Sequence, residues 1–351
     1  MNLKYCLFTL ILIFKISFSQ KNSSNQLILE CIAFYNLENL FDTIVDPDTN
    51  KILQEDFTPL GKKKYNTDKY KLKLNRLATV IDTLGKEISP FGPSIIGVCE
   101  IENRLVLDDL VSQKCIADKH YKIVHHESPD KRGIDCALLY DPSHFELFLS
   151  KSISLSMPND KNFKTRDQLL VTGKLLGEKI HFIVNHWPSR RGGESKSRPK
   201  RIQAAILCKS IVDSIQIADE NAKVIIMGDF NDDPISPSIK NILNAKGNPQ
   251  MVKEGQLFNA MGQHFKNGIG TLAYRDQWNL FDQFILSSSL LDLEKNYDDF
   301  TFYKSVIFNK SFLKNQKGNF KGYPYRTFVG SRFLGGYSDH FPIYMLLVKK
   351  S

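Results

Sequence analysis

An α/β fold is predicted by three observations. Seven short runs rich in β-branched and aliphatic residues, each of strand length, are spread along the chain. Two longer stretches carry apolar residues three and four positions apart, the spacing of an amphipathic helix. The two kinds of segment interleave, which favours sheets with helices packed on them over an all-β or all-helical chain.

The expected strands lie at 27–34, 94–99, 136–140, 179–184, 223–227, 283–286 and 342–348. The first helix, 68–86, sets Leu74, Leu77, Ile81, Leu84 and Ile88 on one face, with Thr67 or Asp68 as its N-cap and lysines outward. The second, 198–218, has Ala205, Cys208, Val212 and Ile215 as its inner stripe. No repeat, low-complexity tract or long linker divides the chain, so one domain over 26–351 is expected.

At 351 residues, 42% hydrophobic and 24% charged, the chain can bury a large core, which excludes a disordered, collagen-like or multi-span membrane protein. Segment 1–19 reads as a signal peptide: Lys4, an apolar run over 5–14, then Ser17 and Ser19 as small residues before a cleavage site. That run is too short, and too soon followed by Lys15, to form a stable membrane span. Export to the periplasm or the medium is therefore expected. Lys4 and Lys15 account for two of the nine net positive charges, leaving +7 beyond the leader. The five cysteines past residue 19 show neither zinc-ligand spacing nor a disulfide framework.

Polar residues cluster where the apolar runs end. Asn36 and Glu38 follow the first run and Glu100 the second; His186, then Asp229 with Asn231, follow two others; Asp339 and His340 precede the last. Strand ends in an open α/β sheet converge on one crevice. Each residue alone could be a turn or a cap, yet the set has a chemical character. Its carboxylates and amides are hard oxygen donors suited to Mg2+, or to Mn2+ or Ca2+, rather than zinc. Its histidines can move protons near neutral pH. No Gly-x-Ser-x-Gly elbow and no glycine-rich phosphate loop occurs. Metal-assisted attack of water on a phosphoester is the reaction such an inventory supports.

Six segments carrying these residues, among them Phe34-Tyr35-Asn36-Leu37-Glu38-Asn39, Gly97-Val98-Cys99-Glu100, Arg132-Gly133-Ile134-Asp135, Asn185-His186-Trp187-Pro188, Gly228-Asp229-Phe230-Asn231 and Ser338-Asp339-His340-Phe341-Pro342, resemble the ordered motifs of the endonuclease/exonuclease/phosphatase superfamily. The resemblance spans nearly all of the chain beyond the leader. It implies a four-layer α/β sandwich like that of deoxyribonuclease I, two packed mixed β-sheets flanked by helices, with the site at one edge. It further implies metal ligation by Glu100, Asn36 and Asp339, and a catalytic set of His186, Asp229, Asn231, Asp282 and His340. Asp282 would pair with His340, and either Asp229 or His340 would take the proton of water. Arg132, Asn185, Arg190 and Arg326 are candidate contacts to substrate phosphate, with an internal ion pair the alternative for Arg132 and the positioning of His186 the alternative for Asn185.

Within the superfamily the chain lacks the Trp-Cys-Asp-Arg signature of inositol polyphosphate 5-phosphatases, since 276–282 reads Asp276-Gln277-Trp278-Asn279-Leu280-Phe281-Asp282. It is most similar to predicted secreted bacterial nucleases. The expectation is an exported, metal-dependent phosphodiesterase acting on nucleic acid, DNA in preference to RNA, without a protein partner and monomeric. A phosphatase or a phospholipid phosphodiesterase on the same scaffold is the alternative. The acid-free stretch 301–332, with seven Lys or Arg interleaved with aromatics, is either a nucleic-acid groove or a core segment with a solvated basic face.

Overall fold

A computed structural model describes residues 26–49 and 51–351; the expected leader lies outside them. Its first half contains β1 (Leu27–Leu40), α1 (Thr67–Thr83), β2 (Ile95–Ile101), α2 (Arg104–Val111), β3 (Lys122–His125), β4 (Asp135–Tyr140), β5 (Phe145–Ile153) and β6 (Gln168–Leu175). The second half adds β7 (Glu178–His186), α3 (Glu194–Ala218), β8 (Lys223–Asp229), β9 (Leu257–Asn259), α4 (Gly262–Lys266), β10 (Leu272–Tyr274), β11 (Gln277–Asn279) and β12 (Asp282–Ser287). Strands β13 (Thr301–Ile307), β14 (Phe328–Val329), β15 (Arg332–Phe333) and β16 (Ile343–Lys350) complete it.

Two six-stranded mixed sheets result, ordered β13-β16-β1-β2-β4-β3 and β5-β6-β7-β8-β12-β9. Both follow one plan. A central parallel pair, β1 with β2 or β7 with β8, is flanked by antiparallel neighbours. The carboxyl ends of four strands therefore point to one edge, where the antiparallel β12 and β16 begin.

Strand alternation decides which side chains separate the sheets. In the second sheet Phe182 and Val184 of β7, Ile225 and Met227 of β8 and Phe284 of β12 belong to the large central core. Their alternates, Ile183, Val224, Ile226 and Ile285, form a second cluster with Ala204, Ala205, Cys208 and Val212 of α3. Helix α1 covers the first sheet with Leu74, Leu77 and Ile81, completing four layers. Gly97 lets the sheets approach closely, since a Cβ there would stand 2.5 Å from Met227 Sδ and 3.1 Å from a Phe34 ring carbon. Among the described residues no helix is long and apolar enough to cross a membrane.

All seven expected strands are present. All seven run past their apolar stretch into the polar residues that follow or precede it, because those residues still pair in the ladder: His186 is opposite Asp229, and Asp229 opposite Asp282. The helix boundaries differ from expectation. The side chain of Asn66, not Thr67 or Asp68, caps α1 by accepting from the Lys69 amide. Helix α1 stops at Thr83, where Gly85 at φ 69° redirects the chain, and α3 begins at Glu194 rather than 198. Strand β5 was not expected because most of it is exposed at the sheet edge, with Phe145 its one buried side chain.

Candidate active site

The site is aimed by two facing irregularities at the ends of β1 and β2. The β1–β2 register shifts after Asn36, with Glu38 and Asn39 at φ 50° and 53°, and the β2–β4 register shifts around Glu100, at φ 61°. Left-handed backbone is uncommon outside glycine, and bulges of this kind redirect side chains beside active sites. Here they bring the Asn39 amide onto Glu100 Oε2 at 3.0 Å, which leaves Oε1 facing His186 Nε2 at 3.7 Å and Arg132 Nη1 at 3.9 Å.

The register of the second sheet supplies the next three groups. His186, Asp229 and Asp282 are consecutive partners across β7, β8 and β12, two residues after Val184 and Met227 and two before Phe284, so they continue the face that lies between the sheets. Gly228 permits this, since a Cβ there would stand 2.2 Å from the Asn185 carbonyl oxygen. Asp229 Oδ2 accepts the Asn36 amide at 3.2 Å and lies 3.6 Å from His186 Nε2 and 3.9 Å from His340 Nε2. Its Oδ1 accepts the backbone N–H of Asn231 at 2.9 Å. His340 reaches Asp282 Oδ2 through Nδ1 at 2.7 Å. Its backbone N–H donates to Ser338, whose hydroxyl donates to the Asn36 carbonyl and so ties the approach to β16 onto β1.

Burial acts differently on each group. It pushes the Asp229 carboxyl up to about 7, His340 opposing and Asp282 reinforcing that shift. It pushes His186 well below the ordinary histidine value, helped by the positive charge of Arg166 and Arg132. For His340 burial acts downward, but Asp282 and then Asp229 outweigh it and hold the imidazole well above that value.

Asp339 completes this edge, accepting from Arg326 Nη2 at 2.5 Å, while Arg326 Nε lies 3.4 Å from Glu38 Oε1. Glu38 Oε2 accepts the Thr327 amide at 2.6 Å, and the fully buried Lys73 donates to the Glu38 carbonyl at 2.6 Å and to the Thr327 hydroxyl at 2.9 Å. Lys73 was not anticipated, although its place one turn before Leu77, on the buried stripe of α1, was the available signal. Burial pushes its ammonium down to about 8.

Two expected phosphate contacts are committed elsewhere. Asn185 is fully buried, its amide donating to the Ile183 carbonyl at 3.0 Å and its oxygen accepting Trp187 Nε1 at 2.9 Å, so it positions the end of β7 and does not face a ligand. Arg190 grips the turn after β8, donating to the Asn231 carbonyl at 2.9 Å and to Asp232 and Asp233 at 3.3 and 3.2 Å, with its guanidinium 4.5 Å from the Phe281 ring centre. Asn231 itself, at φ 51°, donates its amide to the Trp187 carbonyl at 3.0 Å. Arg132 and Arg326 do stand at the centre. The stretch 301–332 divides: Phe308 and Phe328 are core, whereas Tyr303, Phe312 and Phe320 are exposed.

The donor set fits a hard divalent cation. Glu100 Oε1 has no hydrogen-bond partner within reach, Asn36 and Asp229 are joined beside it, and Asp339 is neutralised by Arg326. A separate grouping of His125, Glu127 and Asp135 also has metal-ligand spacing. Its His125 and Asp135 pair at 3.1 Å, and Glu127 meets Lys51 at 3.2 Å.

The family model described as "Endonuclease/Exonuclease/phosphatase family" matches residues 31–349. No curated protein matches the chain. Among solved structures, a family protein from Bacteroides thetaiotaomicron is similar at TM-score 0.55 and 16% identity, covering 93% of this chain and 97% of its own. A mannosyl-6-phosphatase from the same species gives 0.54, 16%, 91% and 99%. TDP2 from D. rerio, "complexed with single strand DNA product", gives 0.53, 15%, 91% and 98%. At these identities the likeness to solved structures is one of fold.

Proposed function

The chain belongs to the endonuclease/exonuclease/phosphatase family, and on that premise we propose that this phosphoester hydrolase is an exported, divalent-metal-dependent phosphodiesterase acting on DNA. The observation that carries the nucleic-acid reading is a cavity of about 310 Å³ beside the centre. It shares Asp339 and Arg326 with the centre and is walled by Tyr274, Phe320 and Tyr323. Trp278 extends this aromatic surface, stacking on Phe341 next to His340 with ring centres 6.0 Å apart. Aromatic faces beside a guanidinium suit the stacking of bases on either side of a phosphate and are tolerant of sequence. Export rests on the leader-like 1–19.

Glu100, Asn36 and Asp339, with Asp229 beside them, would hold the cation. When bound, it supplies Lewis-acid neutralisation of the phosphate charge. The protein's own groups divide the proton chemistry. His340, kept charged by Asp282, has no lone pair at Nε2 with which to accept a proton, so it donates toward the charge that grows on the phosphate. Asp229, with a proton affinity raised into the neutral range, is the base for the attacking water. His186, kept neutral and carrying its proton on Nε2 toward Glu100 and Asp229, is a second donor to the phosphate.

The test is a parallel assay of purified protein on supercoiled plasmid, single-stranded DNA, RNA and a sugar phosphomonoester, with Mg2+, Mn2+, Ca2+ or chelator. Nicking of DNA that chelator abolishes is expected. Phosphate release from the monoester with DNA untouched would move the assignment to a phosphatase.

A further inference from the structure

A second cavity, of about 390 Å³, adjoins the centre at Arg132 and is formed by loops before β4, before β6 and after β7. Its floor holds Arg132 and Arg166, with Arg166 buried to 5% side-chain exposure. Both lean on Asp130, whose oxygens lie 3.0 Å from Arg166 Nη1 and 3.8 Å from Arg132 Nε. One carboxylate thus serves two guanidinium groups, one buried and one half-buried. Two of their N–H groups, on Arg166 Nε and Arg132 Nη2, are buried with no acceptor in the protein. Buried donors are nearly always paired, so an unpaired pair in a cavity wall marks a place for ligand oxygens. The rim adds Lys164, Arg191 and Lys200, all exposed, against Asp160 as the one further acid.

The cleft is connected to the centre at both arginines. Arg132 Nη1 is 3.9 Å from Glu100 Oε1, and Arg166 Nη2 donates to the carbonyl of Trp187, the residue after His186, at 2.7 Å. We propose that this cleft binds a second phosphate of the substrate strand, neighbouring the one that is cut, so that the enzyme reads a chain of phosphates and not a single ester. The site rests on the nuclease reading above and deepens it: Asp339 leads to the aromatic cavity, and Arg132 to the basic one.

The rim residues Lys200 and Arg191 are exposed and stand apart from the catalytic groups, Lys200 resting 5.2 Å over the partly buried Phe163 ring, so the double variant Lys200→Gln/Arg191→Gln separates binding from chemistry. Its kinetics are compared with those of the unaltered protein on a single-stranded oligonucleotide and on bis(4-nitrophenyl) phosphate, which has one phosphate. KM for the oligonucleotide is expected to rise about 10-fold at constant kcat, and the dependence of log KM on log salt to flatten by roughly 0.7 for each contact removed. The small diester should be hydrolysed as before. An unchanged oligonucleotide KM overturns the cleft while leaving the nuclease reading intact, and so does an equal loss on both substrates. Unaltered protein that hydrolyses the small diester and ignores the oligonucleotide overturns the nuclease reading itself, and this site with it.

Discussion

His186 at the end of β7 and His340 at the approach to β16 are both buried and both face Asp229 Oδ2, at 3.6 and 3.9 Å. They nevertheless sit in opposite charge states. His186 has no partner for Nδ1, and desolvation, helped by the charges of Arg166 and Arg132, keeps it neutral. His340 is desolvated too, but Asp282 at 2.7 Å, with Asp229 adding to it, holds it charged. At the dry end of a two-sheet core, the placement of carboxylates around the ring decides whether a buried histidine is neutral or charged.

The comparison breaks most severely in Asp282→Asn, which removes the charge that distinguishes the two rings while keeping the side chain's shape. Turnover on the oligonucleotide should fall by about 10⁴-fold, the scale seen when such a pair is neutralised. Retention of a tenth of the rate would show that His340 does not depend on its partner. His186→Ala should cost less, about 10²–10³-fold in kcat, since it removes one donor to the phosphate and leaves the base in place.

Ring spectra of metal-free protein sharpen the contrast without disabling the enzyme. The His340 value is raised in the folded state, so its stabilising contribution is complete below the unfolded histidine value of about 6.5 and is lost as pH rises through the folded value. The His186 value is lowered, so its contribution is present above about 6.5 and is lost as pH falls through the folded value. Two imidazole signals titrating together near 6.5 would contradict both assignments.

The smallest effect is expected from Arg190→Gln, because that guanidinium braces the Asn231–Asp233 turn rather than substrate. A stability loss of about 1–2 kcal/mol in denaturant unfolding, with KM unchanged, is expected. A large rise in KM at unchanged stability would return Arg190 to the phosphate.

Much of this was legible in the sequence because strand ends announce themselves. Polar residues flanking apolar runs located Asn36, Glu100, His186, Asp229 and His340, and the structure does gather them at one edge. What the sequence could not convey was backbone geometry and register. Glu100 points into the site because it sits on a bulge, and no residue-type signal distinguishes a glutamate at φ 61° from its extended neighbours. The pairing of His186, Asp229 and Asp282 across three strands depends on sheet order, which connects residues 96 positions apart. Asn185 lies beside His186 in sequence and turns away from it in space, since alternation sends adjacent strand residues to opposite faces, while Arg190, in the loop after β7, is spent on the Asn231–Asp233 turn. Lys73 and Arg166 come from elements without motifs, and their burial follows only from packing.

The most direct test of the centre is Glu100→Gln, which removes the carboxylate charge at the oxygen left open by the bulge while preserving the amide contact from Asn39. Cleavage of single-stranded DNA at ordinary magnesium should be abolished, with the circular dichroism spectrum and the thermal midpoint unchanged. Full activity of this variant under the same conditions would contradict the metal assignment and the mechanism built on it.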